Sequence, residues 1–154
     1  MRLEEEIQQH KFRDEYQKLS INVLFTAAWM NQQTTQILKP YNISWQQFNI
    51  LRILRGQHPK PATVKTLAKR MIDKMSNASR LVEKLRQKGY VERSECQEDR
   101  RRVDIVITDL GLKMLKEASQ AIEENLEQQI QTISEQEAKQ TNDILDKMRG
   151  SETS

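Results

Sequence analysis

The chain has 154 residues, a formal net charge of +3, four glycines, three prolines and one cysteine. That length suits one compact domain, and the low Gly and Pro content excludes collagen-like or low-complexity chains. A lone Cys96 cannot form an internal disulfide, which fits a reducing cytoplasm.

The start, MRLEEEIQQH, is acidic and polar, unlike a signal peptide, and the longest apolar run, VLFTAAWM, is too short to span a bilayer. Residues 4–38 read as one long helix. Phe12, Tyr16, Leu19, Val23, Ala27 and Met30 lie on one face, and Ile21, Phe25 and Trp29 on a second. A helix apolar on two sides needs cover on both, and a partner chain can provide the second. Lys39-Pro40 ends it. Ser44-Trp45-Gln46-Gln47 is a capping box opening a second helix, lined by Phe48, Leu51 and Leu54, which stops near Gly56 before the turn HPKP at 58–61. Thr63 caps a third helix with Val64, Leu67, Ala68 and Met71 inward. A fourth runs from about 75 to 88, buries Ala78, Leu81, Val82 and Leu85, and stops at Gly89.

The period then changes. Tyr90–Arg93 is β-like, CQEDRR is a polar turn, and Val103, Ile105 and Ile107 alternate with other residues, so a hairpin is expected. Thr108-Asp109 caps a long helix carrying Leu112, Leu115, Ala118, Ile122, Leu126, Ile130 and Ile133. SEQE at 134–137 is a second capping box, opening a helix with Ala138, Thr141, Leu145 and Met148 on one face. The fold class is therefore mainly α with a small β-hairpin wing: a winged helix-turn-helix with long terminal helices. The expected organisation is a single chain of residues 1–154, with a winged-helix region over 40–108 and a helical region over 1–38 and 109–150.

Charge is concentrated in the middle. Residues 60–102 hold 13 basic and six acidic side chains, a net of +7, while the rest of the chain nets −4. Such a face suits a polyanion. Ser76, Asn77, Ser79 and Arg80 near the fourth helix's N-terminus are residue types that read base edges in a major groove, with Lys74 and Lys84 as phosphate contacts. Arg100, Arg101 and Arg102 at the hairpin tip suit a narrow, electronegative minor groove, with Asp99 expected to pair with an arginine and shape the tip. No nucleophile elbow, Gly-rich phosphate loop or metal-ligand spacing is present, His10 and His58 are far apart, and neither an enzyme nor a metal site nor a cofactor is expected.

From about 44 to 115, the motifs QQFNILRIL, LAKRM, SNASRLVEKLRQKGYVER and EDRRRVDIVITDLG resemble the MarR family of transcriptional regulators. The family's D-x-R wing signature appears as Asp99-Arg100-Arg101, and its L-T-x-x-G motif as Ile107-Thr108-Asp109-Leu110-Gly111. Ser76-Asn77-Ala78-Ser79 departs from the frequent S-T-x-T, which puts transfer of base preference in doubt. The resemblance implies that 40–108 is the DNA-binding region and that 1–38 and 109–150 form a helical dimerisation region, so that the terminal helices join a homodimer. It would bind double-stranded DNA at an inverted repeat, repress promoters, and be released by a small molecule or an oxidant. Half-sites would lie about 34 Å apart. Phe25, Trp29, Trp45 and Phe48 are the candidate pocket for a small aromatic effector. Cys96 is the candidate redox residue, although the cysteine that some relatives carry in the first helix is absent here.

Overall fold

A computed structural model describes residues 1–150. By internal packing the chain forms two units, residues 1–118 and the residues from 119 onward.

The first unit opens with a single helical turn, α1 (Leu3–Glu6), followed after a break by α2 (Glu15–Leu38). The expected continuous helix over 4–38 is thus interrupted. Asp14 caps α2 by accepting from the Gln17 amide at 2.8 Å, while the Gln17 side chain accepts from the Arg13 amide at 2.7 Å. This reciprocal cap satisfies donors that would otherwise be orphaned and fixes a helix start there. Phe12 lies outside the helix, its ring beneath the Lys18 ammonium. Lys18 also binds Glu4, tying α1 to α2. Lys39–Tyr41 form a 3-10 turn after α2.

Helix α3 (Trp45–Gln57) begins at the expected capping box of Ser44 and Gln47. It buries Phe48, Ile50, Leu51, Ile53 and Leu54, each such side chain stabilising by about 1.5–3 kcal/mol. Gln47 is buried without penalty because its side chain holds the Ser44 amide at 2.9 Å. A two-residue strand, β1 (Ala62–Thr63), leads into α4 (Val64–Arg70), capped by Thr63 as expected. Leu67 and Met71 are buried, whereas Ala68, expected inward, is exposed. The short α4 turns only Leu67 into the core, and the polar face takes Ala68.

Helix α5 (Ala78–Gln87) buries Ala78, Val82 and Leu85 and leaves Leu81 half-buried. Gly89, at φ +79°, stops it. Strands β2 (Val91–Glu95) and β3 (Val103–Ile107) form the antiparallel hairpin, with Val91 opposite Ile107 and Glu95 opposite Val103. Strand β1 adds to the other edge of β3, Ala62 opposite Ile105, giving the order β1-β3-β2. Val91, Ile105 and Ile107 close the core beneath α3 and α5.

Helix α6 (Asp109–Ile130) starts where the Thr108 hydroxyl accepts from the Gly111 amide at 3.0 Å. Its first turns contribute Met114, Leu115 and Ala118 to the core. In the second unit, α7 (Glu135–Met148) opens at the expected capping box of Ser134 and Glu137. Among the described residues no helix is long and apolar enough to cross a membrane.

Candidate nucleic-acid interface

Helices α4 and α5 and the turn between them present the basic face. Asp73 is the sole acid between Glu15 and Glu83. Its carboxylate is drawn into the turn: it accepts from the Met75 amide at 3.0 Å and from the Gln46 side chain at 3.3 Å. The Met75 amide bond, with help from the Ser76 and Gln46 side chains, holds its pKa below the usual carboxylate range. The acid is therefore used internally, and the surrounding surface stays cationic.

Helix α5 begins at Ala78, about one turn later than the expected start near 75, because Asn77 is its N-cap. The Asn77 side-chain oxygen accepts from the Arg80 amide at 3.1 Å. Grasping adenine N6 and N7 together needs that oxygen, so the base-reading role expected for Asn77 competes with its capping role. Replacing Asn77 with Ala is expected to lower stability by about 1 kcal/mol, measurable by thermal denaturation. Ser79, Arg80 and Lys84 are exposed, and neither Arg80 nor Lys84 forms an ion pair among the described residues. Ser76, half-buried, lies before the helix beside Asp73. Lys74 donates to the Lys69 carbonyl.

At the hairpin tip Asp99 does not pair with a guanidinium, contrary to expectation. Its side chain accepts from the Arg101 backbone amide at 3.0 Å, and its carbonyl accepts from the Arg102 amide at 3.0 Å. A short side chain two residues upstream reaches the backbone of the turn more readily than a long arginine head. The tip is shaped all the same, through its main chain. Arg102 pairs with Asp104 at 3.2 Å. The guanidinium groups of Arg100 and Arg101 have no partner among the described residues. The three arginines that look alike in sequence thus divide into two open cations and one engaged in the strand. Cys96, half-buried at the start of the turn, donates its amide to the Arg102 carbonyl at 2.9 Å.

One link escaped the sequence reading. The Glu83 carboxylate of α5 accepts from Arg86 Nη2 and Nε, at 2.6 and 3.0 Å, and also from Arg93 of β2 at 3.3 Å. The Glu83–Arg86 spacing is a legible helical pair, but the reach to Arg93 depends on the fold. The Arg86 hydrogen bonds, then Arg86's charge and Arg93, bring the Glu83 pKa down to about 2. A carboxylate whose folded pKa is depressed in this way contributes stability above its ordinary value, lost as pH falls from about 4.5 toward 2. An NMR titration is expected to find Glu83 still ionised at pH 3.5.

The candidate aromatic pocket is divided. Phe25 and Trp29 line a cavity of about 300 Å³ with Leu3 and Asn22. Phe48 is in the core with the Arg52 guanidinium 5.9 Å from its ring, and neither it nor Trp45 lines that cavity. A larger open cleft of about 900 Å³ lies where α2 ends and α3 and α5 begin, lined by Lys39, Ser44, Gln47, Arg80, Lys84 and Lys88 among others. The sequence reading missed it because its lining comes from two distant segments, residues 35–47 and 76–88. No metal-binding cluster of His, Cys, Asp and Glu occurs among the described residues.

The MarR family model matches residues 43–103, which run from the entry to α3 through the start of β3. Over that stretch the chain is similar to the MarR family. The transcriptional regulator Hpr of Bacillus mycoides is 32% identical to the chain over 94 residues, covering 60% of this chain and 50% of Hpr. The chain thus spans about half the length of the curated relatives it matches. Among solved structures, an organohalide-sensing transcriptional regulator bound to 2,4-dichlorophenol superposes with a TM-score of 0.79 at 20% identity, covering 92% of this chain and 85% of that one. The S. aureus MepR–DNA complex gives 0.73 at 24%, covering 84% and 92%. Within the matched residues, Asp99-Arg100-Arg101 forms the turn just described, and Thr108–Gly111, the cap of α6, lies just beyond them.

Proposed function

We propose that the chain is a DNA-binding transcriptional regulator, acting as a homodimer on an inverted repeat, with α5 in the major groove and the hairpin tip in the minor groove. The observation that carries this reading is the placement of four open cations: Arg80 and Lys84 on the outer face of α5, and Arg100 and Arg101 at a wing tip held by Asp99. A surface made only for solubility does not need a hydrogen-bonded turn displaying two unpaired arginines beside a helix presenting a third. Arg80 can hold guanine O6 and N7, and the wing arginines suit a narrow groove. A fluorescence-anisotropy titration against duplex DNA at rising salt tests it. Each neutralised phosphate contributes about −0.9 to the slope of log affinity against log salt. A slope of several units is expected, and a flat one contradicts the reading.

The homodimer is supported by apolar surface left bare in one chain. On α2, Tyr16, Leu19, Leu24, Trp29 and Met30 are exposed; in the second unit so are Leu126, Ile130, Ile133, Ile144 and Met148. Bare patches this extensive mark an interface, and a second copy related by a two-fold axis is the common solution. Sedimentation equilibrium is expected to give twice the 18.2 kDa chain mass.

Repression follows from operator occupancy that blocks polymerase, and release from an effector that favours a conformation with lower DNA affinity. We place the effector, a small aromatic acid or phenolate, in the cleft lined by Lys39, Arg80, Lys84 and Lys88 rather than in the Phe25–Trp29 cavity. The cleft supplies cations for the anionic group and shares Arg80 and Lys84 with the DNA face, so occupancy and DNA binding would compete for the same side chains.

A further inference from the structure

In the winged-helix region, residues 43–108, every large apolar side chain is buried or half-buried except two. Ile72 is 76% exposed and Met75 is 93% exposed, and both sit on the turn between α4 and α5. Single exposed apolar side chains are ordinary, but two on one short turn, in a region that hides all the others, call for a use. The turn is pinned. Asn49 accepts from the Ile72 amide at 2.9 Å, Asp73 accepts from the Met75 amide at 3.0 Å, and the Ser76 amide reaches the Asp73 carbonyl at 3.3 Å. The display is therefore fixed by the fold. Met75 stands two residues before the Asn77 cap, with Lys74 beside it and Arg80 on the following turn, and the one nearby acid is engaged inside the turn.

An apolar side chain at the tip of a cationic pole fits a surface that is anionic overall but carries isolated apolar groups. The major groove is such a surface: its phosphates are charged, and its only apolar base-edge group is the thymine C5-methyl. A thioether is flexible enough to follow that methyl. We propose that Met75 is a specificity-determining residue that reads a thymine methyl next to the bases approached by Arg80. The proposal rests on the DNA-binding reading above and adds to it an identified base and contact.

The test uses the full-length protein and an operator recovered by selection from random duplexes. Each thymine is replaced in turn by deoxyuridine, which removes only the methyl, and affinity is measured for the natural protein and for Met75→Ala. The natural protein is expected to lose about fourfold at one thymine in each half-site, the worth of one buried methyl group. Met75→Ala is expected to bind the thymine operator more weakly and to be indifferent to uracil at that position. Its thermal midpoint should match the natural protein's, since the side chain is almost wholly exposed. A uracil scan that is flat for the natural protein overturns the proposal, as does undiminished sensitivity in Met75→Ala at the same position; either would leave the turn as a protein-docking feature. If selection recovers no operator, the DNA-binding reading fails first and takes this proposal with it. That outcome is distinct from an operator bound without regard to its methyl groups.

Discussion

Replacing Gly111 with alanine is expected to destabilise the chain by about 3 kcal/mol, at the upper end of what overpacking costs. A Cβ at this position would lie 2.3 Å from the Tyr90 carbonyl oxygen and 2.8 Å from Ile107 Cγ1. The first is backbone and cannot swing aside. It is also tied down, because the Tyr90 carbonyl accepts from the Thr108 amide at 3.0 Å. The Thr108 hydroxyl donates to the Gly89 carbonyl at 2.6 Å while accepting from the Gly111 amide, so the end of α5, the wing strands and the start of α6 meet at one point. Relieving the clash requires α6 to back away from β2 and loosens all three. Thermal denaturation should show a midpoint lowered by roughly 6–12 °C for a chain of this size. An unchanged midpoint would mean that the junction is looser than its geometry implies.

The second large effect concerns binding. Arg100→Ala combined with Arg101→Ala is expected to weaken duplex binding by roughly 10- to 100-fold and to flatten its salt dependence by about 0.9 for each phosphate no longer neutralised. Arg102→Ala should change affinity far less, since its guanidinium is held by Asp104. The contrast separates geometry from charge. All three substitutions remove the same charge per residue, so a wing acting merely as a positive patch would respond in proportion to the number removed. Asp99→Ala should resemble the double variant in part, because it releases the Arg101 amide that fixes the tip. Equal losses for Arg101→Ala and Arg102→Ala would contradict the division between open and engaged cations.

Much of this structure is legible from local chemistry. The capping boxes at Ser44–Gln47 and Ser134–Glu137, the Thr63 cap and the Gly89 stop depend on residues within one turn of each other, and all appear where the sequence puts them. Where two local signals conflict, the cap overrides the periodicity. Apolar spacing carries the first helix through Phe12, yet Asp14-Glu15-Tyr16-Gln17 is itself a cap pattern and decides the start of α2. The start of α5 shifts for a similar reason: Asn77 has the chemistry of a base reader, but its oxygen serves the helix. Features made by distant segments leave little trace. Strand β1 is two residues long and exists only because β3 offers it an edge. The Glu83–Arg93 link and the cationic cleft require the fold before their members meet. The candidate site follows the same pattern, its cations visible in sequence as a basic run while which of them stay open depends on Asp104, Lys69 and Asp99.

The most direct test of the central claim is repeated selection of duplexes from a random pool by the purified protein, followed by sequencing. The account predicts an enriched inverted repeat whose half-sites are centred about one helical turn, roughly 10 base pairs, apart, with Arg80→Ala relaxing preference at a guanine. A pool that remains random, with binding abolished by moderate salt, would contradict a sequence-reading dimer.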